Sequence, residues 1–317
     1  MSDPLYVVTC ISNPVRYNSR YKLYKQFAKH MEDSGAILYT IEMAFGNRDF
    51  VITESSNPHH IQVRCNDEIW HKENLINIAV SRLPADWKHM AWVDADVAFT
   101  RPDWVKETVE ELQHYNIVQM FTHAQDLGPD YQPMAVHTGF AYNYRTHGLV
   151  KEWVGPCPDE MESNVGGHPG YAWAINRETL EGLGGLIDFA ILGAADRHMA
   201  CALVNRVEDS FFHSSEPDGE MSEVLKQMLY DWQARCKEFV NGNFGYVKTS
   251  LVHYWHGNKK KRGYDYRWKI LRDNQYNPLT DIRKDLQGLI RLTGNKPQLR
   301  DDIKAYFRRR SEDSIDL

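Results

Sequence analysis

Short apolar runs rich in β-branched residues alternate with amphipathic helical segments through the first 121 residues. A strand, a helix and a second strand fold as a parallel pair, because the helix carries the chain back across the sheet. Repetition of this unit predicts an α/β fold, with a mostly parallel, Rossmann-like sheet flanked by helices. The predicted strands are residues 5–11, 36–45, 89–99 and 116–121, and the predicted helices run up to Gly35, over 69–83 and over 101–115.

The pattern changes after about residue 124. Glycine, proline and aromatic residues concentrate in 123–134 and 154–173, a composition typical of loops and short strands over a functional face. The later segments are a predicted helix over 220–239, a predicted strand over 246–255 and a predicted helical tail from Thr280 onward.

Composition limits the class of protein. Lys and Arg number 37 against 43 Asp and Glu, a net charge of -6, which argues against a surface devoted to nucleic acid. The five cysteines are scattered and form no CxxC pair, a pattern typical of reduced thiols, so we expect a cytoplasmic protein. No apolar run approaches the roughly 18 residues of a membrane span and no secretory leader is visible, so no membrane partner is expected.

The strand predicted at 89–99, HMAWVDADVAF, contains two carboxylates. Asp94 and Asp96 are two residues apart, so on an extended strand both side chains point the same way. Like charges this close raise each other's pKa unless a cation or hydrogen-bond donors lie between them. Ligands of parallel α/β sheets bind beyond the carboxyl ends of the strands, where this pair lies. The pattern therefore favours a divalent metal site; the alternative is a solvated turn that caps the next helix.

Two stretches of the second half carry side chains that suit a ligand site. His253 and His256, in HYWH, are close enough for one metal ion to reach both. The basic run KKKR at 259–262 either binds phosphate groups or forms a solvated turn.

A lysine and three aromatic rings are further candidates for contact with a ligand. Lys72 is the one charged residue in an apolar stripe of the predicted helix 69–83, so it either extends to solvent or binds an anion near the helix start. His168, Tyr171 and Trp173 follow a glycine pair and suit stacking on a sugar or a base, although the last two also alternate as strand residues do.

Three pieces of the chain, in this order, resemble GT-A glycosyltransferases and in particular their galactosyltransferase-like members. The pieces are WHKENLINIAV with the following WVDADV, then HPGYAWAINRETLEGLGGLIDFAILGAADRHMACAL, then HYWHGNKKKRGYDYR. The resemblance covers about residues 5–267. It implies one GT-A catalytic domain over 1–275, with a nucleotide-sugar half at 1–124 and an acceptor half at 125–275, and a helical extension over 276–317.

The same resemblance implies a UDP-sugar donor and Mn²⁺ or Mg²⁺ as cofactor. Asp96 would be the main metal ligand, and His256 and then His253 would complete the shell. The metal would stabilise the diphosphate as it leaves. The implied donor-binding residues are Arg16, Lys72, Asp94, Lys260 and Arg262.

On the acceptor side, Asp196 in LGAADRHM corresponds to the catalytic base of the galactosyltransferases, which implies inversion. From the residues alone, Asp196 is also a good N-cap for a helix over 197–203. The chain departs from the family's Gly-Gly-Glu-Asp pattern, because Ala194 and Ala195 replace the glycine and the glutamate, and this indicates a different acceptor. The hydroxyl acceptor implied is a glycan, a protein or a hydroxymethylated pyrimidine in phage DNA, with His168, Tyr171 and Trp173 around it.

Two other functions stay open. A nucleotidyltransferase also uses metal-bound carboxylates, but TCISNPVRYNSR after the first strand has no glycine for a phosphate loop. A non-catalytic sugar- or nucleotide-binding module would need neither Asp196 nor the two histidines. If the acceptor is DNA, binding should weaken steeply with salt. The phosphate contacts would then come from 259–262, Arg267, Arg272 and 308–310.

Overall fold

Thirteen strands form three sheets in the computed structural model, which describes residues 3–148, 166–211 and 220–316. The strands are β1 (Leu5–Ser12), β2 (Ile37–Phe45), β3 (His60–Cys65), β4 (His89–Val93), β5 (Val97–Phe99), β6 (Ile117–Gln119), β7 (His123–Leu127), β8 (Pro133–Thr138), β9 (Ala172–Asn176), β10 (Phe244–Tyr246), β11 (Ser250–His253), β12 (Ile282–Lys284) and β13 (Ile290–Leu292). The helices are α1 (Asn18–Asp33), α2 (Lys72–Val80), α3 (Trp104–Glu111), α4 (Phe140–His147), α5 (Arg177–Leu183), α6 (Ala195–Leu203), α7 (Glu223–Phe239), α8 (Tyr264–Asp273), α9 (Pro278–Asp281) and α10 (Pro297–Arg309).

The central sheet has seven described strands in the order β10-β6-β9-β4-β1-β2-β3, and of these only β9 runs antiparallel to its neighbours. Successive side chains of a strand enter opposite faces, so Val7 and Val8 belong to two different cores. Helices α2, α5, α6 and α7 pack on the side of Val8, and α1 and α3 pack on the side of Val7. The predicted fold class, a mostly parallel α/β sheet flanked by helices, is confirmed.

A second sheet, in the order β5-β11-β7-β8, meets the central sheet at residues 94–96. The single strand predicted at 89–99 is wrong, because β4 ends in the central sheet and β5 begins in the second one. Apolar residues lie on both sides of the junction although the backbone turns there, with Asp94 N donating to Tyr171 O at 2.8 Å. The strand predicted at 246–255 is likewise divided between β10 and β11. The first division leaves Asp94 and Asp96 between the two sheets, and the second makes His253 the last residue of β11.

The helix predicted over 69–83 is shorter, because α2 begins at Lys72 and ends at Val80. Ile69 and Leu83 are buried outside the helix, so tertiary packing extends the apolar stripe beyond it. The strand β3 was not predicted at all; its pattern of exposed and buried residues is typical of a sheet edge.

The predicted helical C-terminal end is present as α10, but a short hairpin of β12 and β13 precedes it. The hairpin closes through Asp285 N, which donates to Leu289 O at 2.9 Å, and through Gly288, whose φ is +80°. On α10, Ile303 and Tyr306 are buried in the same core as Val8. None of the helices in the described ranges is both long and apolar enough to span a bilayer.

Candidate functional site

Asp96, His253 and His256 converge on one point at the junction of the two sheets. Nε2 of His256 is 3.1 Å from Asp96 Oδ2, and Nε2 of His253 is 3.9 Å from the same oxygen. The two Nε2 atoms are 3.2 Å apart, and both imidazoles are buried. The structure therefore brings together the three predicted metal ligands, which we call the triad.

The hydrogen bonds of the triad leave polar atoms that a cation would satisfy. Nδ1 of His253 is 2.8 Å from Asp126 Oδ1, which assigns the ring proton to Nδ1 and leaves the Nε2 lone pair facing His256. Asp96 Oδ1 and His256 Nδ1 are buried and have no hydrogen-bond partner in the described part of the chain. Each such atom costs about 1–3 kcal/mol. Two imidazole nitrogens and a carboxylate oxygen suit a divalent transition metal, so these residues fit a metal ion.

Asp126, on β7, holds the triad in place. Its carboxylate accepts hydrogen bonds from His253, from His137 Nε2 at 2.6 Å and from the Tyr171 hydroxyl at 3.2 Å, and it also contacts Lys259 Nζ. Burial acts to raise the pKa of Asp126, but the hydrogen bonds from His137 and His253 hold it well below its usual range. An ionised outer carboxylate fixes the orientation and tautomer of a ligating histidine. Neither Asp126 nor His137 was predicted; the available signal was a carboxylate on the buried face of β7.

The charges around the triad favour the forms that bind a cation. Burial lowers the pKa of His256 to about 4, and the positive charge of Arg262 acts in the same direction. Burial acts to raise the pKa of Asp96, but its interactions with the imidazoles of His256 and His253, followed by the charges of Arg20 and Arg262, bring it below its usual value. At neutral pH the site therefore contains a neutral His256 and an ionised Asp96.

Lys72, Asp94 and Asp196 form a second group of charges at the same junction. Lys72 Nζ makes an ion pair with Asp94 Oδ1, and the two side chains are 16% and 27% exposed. Burial opposes the charge of Lys72, but Asp94, Glu73 and Asp196 raise its pKa above the usual value. Burial raises the pKa of Asp94. The charge of Lys72 opposes this rise, and the charge of Asp96 adds to it. Lys72 thus points into the site, and of the two alternatives the extension to solvent is excluded.

Asp196 lies in the first turn of α6 and faces the backbone of Gly170. A Cβ atom at Gly170 would lie 2.7 Å from Asp196 Oδ2 and 3.1 Å from His168 Cε1, so the carboxylate and the imidazole flank this glycine. The prediction of Asp196 as the N-cap is wrong, because the N-cap is Ala194, whose φ is +72°. This left-handed residue starts the helix earlier than expected, and Asp196 Oδ1 accepts a hydrogen bond from Arg197 N at 2.9 Å.

The three rings predicted on the acceptor side lie in different surroundings. His168 is half-buried and stacks on Tyr171, with ring centroids 3.9 Å apart. Tyr171 is buried, and its hydroxyl group donates to Asp126. Trp173 is 3% exposed and stacks on Trp92 in the core. His168 therefore borders the site, Tyr171 supports the triad, and Trp173 belongs to the core.

The basic run 259–262 is divided between the site and the surface. Lys259 contacts the Asp126 carboxylate, and Arg262 is buried close enough to the triad to influence its pKa values. Lys261 is exposed, and the side chain of Lys260 lies outside the described residues. The donor-binding role of Lys260 stays a prediction.

Arg16 lies in the turn that follows β1. Its φ is +66°, its backbone N donates to Asn13 O at 3.2 Å, and its side chain is exposed. Because β1 and β4 are parallel neighbours, this turn is at the same sheet edge as 94–96. Among the described contacts, Arg16 is not one of those that surround the triad.

Glu73 is a buried carboxyl beside Lys72, with 4% of its surface exposed. Burial raises its pKa from 4.5 to about 8; the charge of Lys72 opposes the rise and that of Asp196 adds to it. The folded-state pKa is thus above the unfolded one, so the stabilisation is complete below the unfolded pKa and is lost as the pH rises through the folded pKa.

We expect the free energy of unfolding of the wild type to fall, relative to that of Glu73→Gln, by about 1.4 kcal/mol per pH unit between about pH 5 and pH 7.5. Urea unfolding at a series of pH values measures this difference. Glu178→Gln is the matched control, because Glu178 is the second residue of α5 as Glu73 is of α2, but is exposed. A difference between wild type and Glu73→Gln that does not vary with pH would contradict the prediction.

No protein-family model matches the sequence, and no curated protein matches it. Among solved structures, the chain is similar to S. aureus TarS 1-349, with 7% identity and a TM-score of 0.41 over 84% of this chain and 64% of that chain. It is also similar to a mutant of Drosophila β1,4-galactosyltransferase 7 in complex with manganese, UDP-Gal and xylobiose, with 11% identity and a TM-score of 0.31 over 65% and 62%.

A third similar structure is a glycosyltransferase involved in the glycosylation of the major capsid of PBCV-1, with 9% identity and a TM-score of 0.33 over 84% of this chain and 99% of that chain. The chain spans less than two thirds of the length of the first two structures, at 64% and 62%. Because the TM-scores are low, the function proposed for this chain rests on its own side chains.

Proposed function

We propose that the protein is a metal-dependent glycosyltransferase that moves a sugar from a UDP-sugar to the hydroxyl group of an acceptor. The observation that carries this proposal is the convergence of Asp96, His253 and His256 at the carboxyl end of β4. Ligands of open α/β sheets bind at such strand ends. Residues 1–275 would form the catalytic domain.

Asp96, His253 and His256 would hold a divalent cation. Two imidazole ligands favour Mn²⁺ over Mg²⁺, which prefers oxygen ligands. When bound, the cation would neutralise the diphosphate of the departing UDP. Lys72 and Asp94, which form an ion pair beside the triad, would contact the donor. The ammonium group of Lys72 would attract the phosphates of the donor. Arg262 and Lys259, which also lie close to the triad, would add positive charge to the site.

Asp196 would act as the general base that removes the proton of the attacking hydroxyl group, which gives inversion at the anomeric carbon. Two observations support this role. Its carboxylate is near enough to Lys72 to raise the lysine's pKa, so it lies at the donor side of the site. It also flanks Gly170 together with His168, a half-buried ring that would border the acceptor.

We propose a glycan or another hydroxyl compound as the acceptor, ahead of DNA. The arginines predicted to contact DNA phosphates at the C-terminal end have partners within the chain. Arg308 pairs with Glu68, and Arg310 pairs with Glu312. Arg309 lies over the ring of Tyr266, 4.5 Å from its centroid. A phosphate backbone would have to displace these contacts.

UDP release from a panel of UDP-sugars, measured without acceptor in Mn²⁺ and again in EDTA, tests the proposed function. We expect slow hydrolysis of one sugar nucleotide in Mn²⁺ and none in EDTA. A nucleotidyltransferase would instead release pyrophosphate from a nucleoside triphosphate. A non-catalytic module would bind UDP without release. Absence of both release and metal-dependent UDP binding would overturn the proposal.

A further inference from the structure

The C-terminal segment, residues 311–316, joins α1 to the loop that carries His256. On the side of α1, the Asp313 carboxylate accepts hydrogen bonds from the backbone N–H groups of Asn18 and Ser19, at 2.8 Å and 2.7 Å. Ser311 N donates to the Tyr17 hydroxyl group at 3.1 Å. The segment therefore satisfies free backbone donors at the start of α1, although it lies almost 300 positions away in sequence.

The same segment packs against the loop that follows β11. Trp255 Nε1 donates to Ser314 O at 2.8 Å. Gly257 has a φ of +89°, and a Cβ atom there would lie 2.8 Å from Glu312 Cα and 2.8 Å from Ser311 O. Any other residue at 257 would therefore push the segment away from the loop, and glycine permits direct contact of the two backbones.

Glu312 is the residue of this segment that faces the triad. Its side chain is 1% exposed, and it pairs with Arg20 Nη2 at 2.8 Å and with Arg310 Nε at 2.6 Å. Its Oε2 is 3.8 Å from Nδ1 of His256. That nitrogen is buried and has no hydrogen-bond partner among the residues described, and Glu312 is the carboxylate beside it.

We propose that Glu312 is a positioning residue of the metal site, a conclusion that rests on the proposed metal-binding function of the triad. With a cation bound, its carboxylate would hold the proton of His256 on Nδ1, so that the Nε2 lone pair is free for the cation that Asp96 Oδ2, 3.1 Å away, would also bind. The separation of 3.8 Å is longer than a hydrogen bond, and a small shift of the ring towards the carboxylate closes it. His253 already has this arrangement with Asp126, at 2.8 Å.

Each histidine of the triad then has its own outer carboxylate, and the two carboxylates come from distant parts of the sequence. Asp126 belongs to the second sheet, whereas Glu312 follows α10, outside the predicted catalytic domain 1–275. The C-terminal segment would therefore be part of the metal site. Outer carboxylates of this kind change metal affinity about 10–100-fold.

Titration calorimetry of Mn²⁺ into the full chain, without nucleotide, tests this role. We expect Glu312→Gln to weaken Mn²⁺ binding about 10–100-fold, at a temperature where circular dichroism shows that the variant is folded. Two controls separate positioning from structure. Asp313→Ala removes the hydrogen bonds of Asp313 to the start of α1 but leaves Glu312 in place, and Arg310→Met breaks one of the two ion pairs of Glu312 but leaves the carboxylate beside His256. Both should bind Mn²⁺ within about threefold of the wild type, because each keeps the outer carboxylate.

A second readout is rescue by a conservative variant. Glu312→Asp keeps a carboxylate at this position and should bind Mn²⁺ more tightly than Glu312→Gln, because only a carboxylate can hold the proton on Nδ1. Unchanged Mn²⁺ affinity in Glu312→Gln would overturn the role of Glu312 and leave the proposed function standing. Equal losses in Glu312→Gln and Arg310→Met would reduce Glu312 to a structural ion pair. A wild type that does not bind Mn²⁺ would overturn the metal site itself, and with it this inference.

Discussion

Replacement of Asp96 by alanine is expected to remove the Mn²⁺ dependence of UDP binding and to lower sugar transfer about 10³-fold or more. Asp96 is the carboxylate to which both histidines of the triad point, with its Oδ2 at 3.1 Å from His256 Nε2 and 3.9 Å from His253 Nε2. Without it, only the two imidazoles remain and no anion balances the cation. Calorimetric titration of UDP in Mn²⁺ and in EDTA measures the first effect, and UDP release measures the second.

The matched control for this change is Asp231→Ala, because Asp231 is an exposed aspartate of α7 whose partner is Gln227 on the same helix. It should bind UDP and transfer sugar as the wild type does. If Asp96→Ala binds UDP with unchanged Mn²⁺ dependence, Asp96 is not a metal ligand. If binding changes but transfer does not, the cation serves affinity and not catalysis.

Asp196→Asn is expected to lower transfer about 10²- to 10⁴-fold while leaving the affinity for the donor near that of the wild type. Asparagine keeps the shape of the side chain and can still accept the hydrogen bond from Arg197 N, so α6 should remain intact. It cannot take up the proton of the acceptor hydroxyl group. The effect therefore falls on the chemical step and not on the binding of UDP-sugar.

Single-turnover transfer and UDP titration, on the same preparation, distinguish these two quantities. Asp231→Asn makes the same chemical change at an exposed position of α7 and should leave both unaltered. Full transfer activity in Asp196→Asn would show that the carboxylate has no role as a base. Loss of donor affinity in step with transfer would instead make Asp196 part of the donor site.

Features that depend on neighbouring residues were predictable from sequence. The alternation of strands and helices indicated the α/β sheet, because side-chain periodicity directly reports which face of an element is buried. Asp94 and Asp96 are two positions apart, and His253 and His256 are three positions apart. Each spacing places two side chains of the same type within reach of one ligand. Nothing in the sequence places the two pairs side by side; the resemblance linked them, and β11 brings them together beside β5.

The errors in the predicted elements have one physical origin. The runs at 89–99 and 246–255 each pass from one sheet into another, and buried apolar residues lie on both sides of each junction although the chain changes direction between them. Periodicity measures burial and therefore cannot locate such a turn. For the same reason the apolar stripe of α2 continues past both ends of the helix.

The fold class and most of the proposed metal ligands could be predicted from the sequence, since these follow from local spacing and from the chemistry of each residue type. The groups that support the proposed ligands became visible only in the folded structure. Asp126 lies 127 positions from His253, and Glu312 reaches His256 from the far end of the chain. Trp173, an attractive stacking ring in sequence, lies in the core against Trp92. Contacts between distant segments depend on how the two sheets and the C-terminal segment pack, and no local pattern encodes that packing.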